Sequence, residues 1–311
     1  MVKSRKINVG ITIGDPNGIG IEIILKSLSN FSLFHECNFI IYASTGLIEK
    51  QKQHFQIDTP PLKKIDSEED LSDTQINIKE VFSNSQFNFG ESDKELSALG
   101  ILSLKEATKA IKDKKIDVLV TAPINKDLSF SESFKYTGHT DFLKNYFRIS
   151  PLMLMISKEL KIALLTDHIP IKDVSNAINQ DIVEQKIKAL EKSLINDFQI
   201  KKPKIAVLAV NPHASDNGVI GNEDKSIITP AINSFKGTTS SINGPFSADT
   251  FFVNENYKKY DGIIASYHDQ GLIPFKTISF GKGVNFTAGL PFVRTSPDHG
   301  TGFDIAGKGI A

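Results

Sequence analysis

Five of the seven histidines stand in polar, turn-like sequence directly after apolar runs: Gly138-His139-Thr140, Thr166-Asp167-His168, Asn211-Pro212-His213, Tyr267-His268-Asp269 and Asp298-His299-Gly300. His35 and His54 lie in ordinary polar or amphipathic surroundings and read as solvated surface residues. Neutral imidazole is a common metal ligand, and three imidazoles meeting at one point leave a position open for substrate. His168, His213 and His268 each follow a predicted strand by two or three residues. For one such histidine alone, a hydrogen bond to its own loop is the better reading. Three at equivalent positions behind three strands favour a shared cation. Spacing adds nothing, because ligands so far apart in sequence obey no rule like that of a zinc finger.

A second set is cationic and polar. Lys276, Asn285 and Arg294 recur at nine-residue intervals, with Thr295 and Ser296 following. Lys and Arg with amides and hydroxyls suit a phosphate or carboxylate, Arg through its bidentate fork. His139 and Thr140, just after a glycine, add donors for the same anion. On residue type alone, solvated cations are the commoner outcome. The setting matters: nine of the 21 glycines fall between Gly262 and Gly309, and glycine-rich loops beside strands let backbone approach a ligand closely.

Two further glycine motifs are weaker. Gly14-Asp15-Pro16-Asn17-Gly18-Ile19-Gly20 follows a strand and opens a helix, where amides could face an anion. It is not GxGxxG, and no Walker A sequence occurs, so a Rossmann or P-loop nucleotide site is unsupported. Residues 211–224, NPHASDNGVIGNED, form a loop acidic enough to sit behind a metal ligand. A purely structural turn is equally consistent with it.

The elements that must position these residues alternate between short β-branched runs and longer stretches of helical period. Residues 7–13, 38–42, 117–121, 152–156, 162–165, 205–210 and 262–266 read as buried strands. Residues 182–198 place Val183, Ile187, Leu190, Leu194 and Phe198 on one stripe, an amphipathic helix. Residues 95–111 form another, with Leu96, Leu99, Leu102 and Ala110. Strands separated by helices predict an α/β fold with a largely parallel sheet, whose carboxyl-end loops gather where ligands bind. The polar stretch 49–94, with Pro60-Pro61 and an acidic run at 67–70, reads as a peripheral excursion with little chemistry.

Composition sets the outer bounds. At 311 residues, one large or two medium domains are expected. Lys+Arg and Asp+Glu both total 36, so no net field favours nucleic acid or a membrane surface. Cys37 is the single cysteine, which excludes an intrachain disulfide and any CxxC motif. The start of the chain is basic, but 7–13 is short, contains Asn8 and runs into Gly14-Asp15-Pro16, so it reads as a first strand and not a signal peptide. No run approaches the roughly 18 apolar residues of a membrane span. The expectation is a soluble, cytoplasmic protein.

Taken together the motifs resemble the 4-hydroxythreonine-4-phosphate dehydrogenase family. The likeness runs through GDPNGIG at Gly14, TAPINK at Thr121, GHTDF at Gly138, TDHIP at Thr166 and NPHASDNGVIGNED at Asn211. It continues through GPFSADTFF at Gly244 and YDGIIASYHDQGLIPFK at Tyr260, to VNFTAGLPFVRTSPDHGTGFDIAGKGIA at Val284. Only 49–94 falls outside it. Asp167 stands where a second threonine is expected, and Ile21 where the family pattern has proline; neither removes a named ligand. Family members are expected to continue past GKGIA into a further helix.

The resemblance implies an α/β, isopropylmalate-dehydrogenase-like fold, with two α/β/α domains around an interdomain cleft. The expected division is 1–125 plus 270–311 for the cofactor side and 126–269 for the metal and dimerisation side. It implies a homodimer with the active site shared across the interface. One divalent metal (zinc, cobalt or magnesium) would be held by His168, His213 and His268, one of them from the partner. Substrate contacts would come from His139, Thr140, Lys276, Asn285 and Arg294. NAD or NADP would lie along Gly289, Leu290, Pro291 and Thr295 and near Asp304. Asp249 is a candidate ligand-orienting or catalytic carboxylate, and no general base is assigned. The implied reaction oxidises 4-phosphonooxy-L-threonine, a small phosphorylated amino acid, with decarboxylation to 3-amino-2-oxopropyl phosphate, in pyridoxine 5'-phosphate biosynthesis. The alternatives are a paralogue acting on another phosphorylated hydroxy acid such as 4-phospho-D-erythronate, and a non-catalytic metal- or metabolite-binding protein.

Overall fold

Runs such as Ile7-Asn8-Val9-Gly10-Ile11-Thr12 become strands because their β-branched side chains pack well on a pleated surface buried on both faces. In the computed structural model, which describes residues 5–129, 134–237 and 239–311, all seven expected strands are present. They are β1 (Ile7–Thr12), β2 (Cys37–Ala43), β5 (Val118–Thr121), β6 (Leu152–Ile156), β7 (Lys161–Leu164), β8 (Lys204–Leu208) and β10 (Gly262–Ala265). Five more were not anticipated: β3 (Leu62–Ile65), β4 (Ile76–Glu80), β9 (Ser241–Phe246), β11 (Val284–Ala288) and β12 (Val293–Pro297). The 49–94 stretch is therefore not merely peripheral, since β3 and β4 extend a sheet.

The chain divides into two compact units, one running to Arg148 and resuming at Pro291–Ala311, the other Ile149–Leu290. Both crossings come later than the expected positions near 126 and 270. In the first unit the strand order is β3-β4-β2-β1-β5-β12, and every pairing is parallel. Helix Lys94–Lys112 starts at Asp93, whose carboxylate accepts from Glu95 N at 2.8 Å and Leu96 N at 3.0 Å, satisfying amides that open a helix without partners. Its buried face carries Leu96, Leu99, Leu104, Ala107 and Ile111.

In the second unit the order is β11-β6-β7-β10-β8-β9. The pairs β7–β10, β10–β8 and β8–β9 are parallel, whereas β11–β6 and β6–β7 are antiparallel. Helix Gln180–Asn196, capped by Asn179 accepting from Ile182 N at 2.9 Å, buries the stripe Val183, Ile187, Leu190 and Leu194 against Ile205, Val207 and Ile264. On helix His268–Ser279, a Cβ at Gly271 would stand 2.8 Å from Leu164 Cδ2 and 3.0 Å from the Ala265 Cβ. Only glycine lets the helix lie this close, and that closeness fixes the position of His268 at its first turn. Among the described residues, no helix is long and apolar enough to cross a membrane.

Candidate active site

Strands β7, β10 and β8 are parallel neighbours with β10 in the middle, so the loops that follow them leave one edge of the sheet. Pairing continues past the strand ends: Leu165 N donates to Ala265 O at 2.8 Å, and both Thr166 N and Oγ1 donate to Ser266 O at 3.2 and 2.8 Å. The segments bearing His168 and His268 are thereby held side by side, with ring centroids 5.5 Å apart. They border a cavity of about 510 Å³ that Asp167, Ile169, Ile171, Val174, Tyr267 and Asp269 complete. His268 Nδ1 is 2.7 Å from Asp269 Oδ1. A carboxylate on one ring nitrogen orients the other toward a ligand.

His213 behaves differently. It begins a run of left-handed residues, with φ of 53, 51, 68, 41 and 56° from His213 to Asn217. Each such non-glycine residue costs on the order of 1–2 kcal/mol, so the surroundings must hold the turn in place. Asp224 does so: its carboxylate accepts from Val210 N at 2.7 Å, Asn211 N at 3.1 Å and Ser215 Oγ at 2.6 Å. Glu223 accepts from Asn211 Nδ2 and Ser175 Oγ, both at 2.8 Å, and these bonds pull its pKa down to about 2. Asp224 and Glu223 thus serve the turn itself, the structural alternative for that loop. His213 is exposed, as is Asp249. The Asp249 carboxyl lies below its usual range, first because Ser247 Oγ donates to it at 2.6 Å and in smaller part through His213. Among the described residues, no three or more His, Cys, Asp or Glu side chains gather closely enough to hold a metal. Within one chain, His168 and His268 come together and His213 does not join them.

The anion candidates of the first unit do converge. Arg294 lies on β12, opposite Leu119 of β5, and is 2% exposed. Its Nη2 donates to Thr121 Oγ1 at 2.5 Å, and Thr121 is fully buried. Burial lowers the guanidinium pKa to about 10, which leaves it charged at neutral pH. His139 and Thr140 open helix His139–Phe147. His139 Nε2 is buried without a hydrogen-bond partner among the described residues. Desolvation first, then the charges of Arg294 and Lys126, push the imidazole well below its ordinary pKa, so it is neutral at physiological pH. It can donate from one nitrogen and accept at the other.

In the second unit Lys276 is exposed on helix His268–Ser279, and Asn285 lies on β11 opposite Met155 with its Oδ1 buried and unpartnered among the described residues. Of the dinucleotide candidates, Gly289 and Leu290 close the second unit, whereas Pro291, Thr295 and Asp304 belong to the first. Gly289 has φ of 85°, and a Cβ there would meet nothing nearer than Ser150 O at 3.7 Å. Thr295 pairs with Val120, and Asp304 is exposed with its main-chain oxygen accepting from Lys308 Nζ at 2.6 Å.

The 14–20 motif does not present its amides to an anion. Asp15 N donates to Pro123 O, Asn17 N to Asp15 Oδ1, Gly18 N to Asp15 O and Ile19 N to Thr301 O, all within 3.1 Å. A Cβ at Gly18 would stand 2.6 Å from Thr301 O. The glycine is there for the approach of residue 301, and the amides are already used.

Sequence reasoning missed Thr121, Lys126 and Asp269. The first two lie in TAPINK, at the carboxyl end of a predicted parallel strand, where ligand-binding residues concentrate.

Residues 35–311 match the family described as pyridoxal phosphate biosynthetic protein PdxA. The chain is 42% identical over 306 residues to a 4-hydroxythreonine-4-phosphate dehydrogenase of Sulfurihydrogenibium sp., covering 98% of this chain and 94% of the relative. It is 36% identical over 313 residues to an Oceanobacillus iheyensis relative named for D-threonate 4-phosphate dehydrogenase, covering 99% and 94%. The crystal structure of 4-hydroxythreonine-4-phosphate dehydrogenase from Klebsiella pneumoniae superimposes with a TM-score of 0.85 at 32% identity, covering 99% of this chain and 94% of that one. The isopropylmalate-dehydrogenase-like α/β class expected from the sequence is the class of this fold. The chain belongs to the pyridoxal phosphate biosynthetic protein PdxA family and is an oxidoreductase.

Proposed function

We propose that this enzyme oxidises 4-phosphonooxy-L-threonine with NAD(P)⁺ and decarboxylates the product to 3-amino-2-oxopropyl phosphate. It would act as a cytoplasmic homodimer in pyridoxine 5'-phosphate biosynthesis. The observation that carries the reading is the His168–His268 pair, 5.5 Å between ring centroids, on a chain of this family. Two imidazoles beside a cavity fit one divalent cation, and among the described residues of the chain no third ligand joins them. His213, on an exposed and strained turn, is the ligand the second subunit supplies. A cation bound there would stabilise negative charge on the reacting oxygen. A nicotinamide cofactor, bound along Gly289, Leu290, Pro291, Thr295 and Asp304, would accept the hydride.

The residues of this chain do the rest. Arg294, His139 and Thr140, with Lys276 and Asn285, hold the phosphate and carboxylate of the substrate. Loss of the hydroxyl proton to solvent and of a hydride from the same carbon, which a bound nicotinamide would accept, would give a β-keto acid. The bond to the carboxylate then breaks, CO₂ departs, and its electron pair stays on the adjacent carbon, which is protonated. Asp249, beside His213, orients that imidazole. The reduction of NAD⁺ and NADP⁺ with this substrate, with and without chelator, tests the scheme. Turnover that survives complete metal removal contradicts it.

A second reading follows from the D-threonate 4-phosphate relative. The same anion and metal residues would serve a phosphorylated hydroxy acid without the amino group, including 4-phospho-D-erythronate. Comparing kcat/KM for the substrates separates the two.

A further inference from the structure

Lys126 is exposed, and among the described residues no hydrogen bond or ion pair engages its ammonium. It opens the short helix Lys126–Ser129 just after β5, the strand that also carries Thr121. Its stem runs beside Gly138: a Cβ on that glycine would lie 3.7 Å from Lys126 Cε. That places the lysine next to His139, whose buried Nε2 lacks a partner among the described residues. The charges of Arg294 and Lys126 both act on the His139 ring.

Positive charge beside a neutral imidazole whose Nε2 is unpartnered among the described residues is a setting suited to an anion. A lysine held only for solubility has no reason to stand beside an imidazole whose Nε2 is buried and unpartnered among the described residues. We propose that Lys126 is a further substrate-binding residue, placing its ammonium on the same anionic group of the substrate as His139 and Arg294. The inference rests on the substrate site proposed above. The ligand chemistry is a phosphate monoester or a carboxylate. Arg294 grips it from a buried, fixed position, and Lys126 closes over it from the solvent side as a mobile point charge.

The test uses the intact enzyme with 4-phosphonooxy-L-threonine as substrate and inorganic phosphate as a competing probe. Lys126→Met should raise KM by about tenfold and weaken phosphate inhibition by a similar factor, with a smaller effect on kcat. Lys126→Arg should restore most of both. Because the lysine is exposed, raising ionic strength from low to physiological values should narrow the gap between wild type and Lys126→Met. A merely structural role would not produce that salt dependence. If KM and phosphate inhibition are unchanged in Lys126→Met while Arg294→Met loses substrate binding, the role of Lys126 is wrong and the site stands. If neither variant alters binding, the site itself is misplaced, and the proposal for Lys126 falls with it.

Discussion

Arg294 and Thr121 meet on neighbouring parallel strands, the guanidinium Nη2 donating to the hydroxyl oxygen at 2.5 Å with both residues buried. The hydroxyl is neutral, so it fixes the direction of the guanidinium without cancelling its charge. Thr121→Val keeps the shape and removes the acceptor. Stability should drop by about 1–3 kcal/mol, read by chemical denaturation, and KM should rise. Thr121→Ser should behave like wild type on both counts. A Thr121→Val enzyme with unaltered KM would separate this pair from substrate binding.

Arg294→Ala should act mainly on KM if its contact is equally strong in ground and transition states. Steady-state kinetics with substrate varied and cofactor saturating will show it. A loss confined to kcat would mean that the guanidinium acts on the chemistry instead of on binding.

His139 gives a prediction in pH. Its folded pKa lies below the ordinary value of 6.5, so below that pH the unfolded chain takes up a proton that the native protein refuses. The associated stability is complete above pH 6.5 and is lost as pH falls toward the depressed folded value. The wild type should lose about 1 kcal/mol more than His139→Gln between pH 7.5 and 5.5. Equal losses, measured by denaturation at both pH values, would refute a His139 imidazole held neutral by the fold.

Much of this was legible in the sequence, and the exceptions have physical reasons. The strands around Ile11, Ile41 and Ile264 are largely buried on both faces and read as predominantly apolar runs. Leu62-Lys63-Lys64-Ile65 and Ile76–Glu80 are short and charged because they lie at or near the outer edge of the sheet in the first unit. Ser241–Phe246 carries Gly244 and Pro245, which an edge strand tolerates and a pattern search rejects. β11 and β12 escaped notice because Asn285 and Arg294 interrupt their apolar pattern, and those are the residues singled out for chemistry. The histidines could be nominated from their positions after strands, but which two would meet could not. That depended on β7 pairing with β10, a long-range choice with no local signal. Thr121 and Lys126 stood in TAPINK, but threonine and lysine are too common for residue type alone to single them out.

Asp224 holds the left-handed turn of His213 through three hydrogen bonds. Asp224→Asn keeps the volume but turns one acceptor oxygen into a donor facing donors. A cost of about 1–3 kcal/mol is expected, together with weaker metal retention after dialysis. Full metal content in a destabilised variant would show that the turn does not serve the cation.

Mixed dimers carrying His213→Ala in one subunit and His268→Ala in the other test the shared site most directly. If each site takes His168 and His268 from one subunit and His213 from its partner, one of the two sites is intact. The heterodimer then binds one metal and shows about half of wild-type activity, while either variant alone is inactive. If all three ligands come from the same subunit, both sites are broken. A heterodimer without metal or activity would contradict the account.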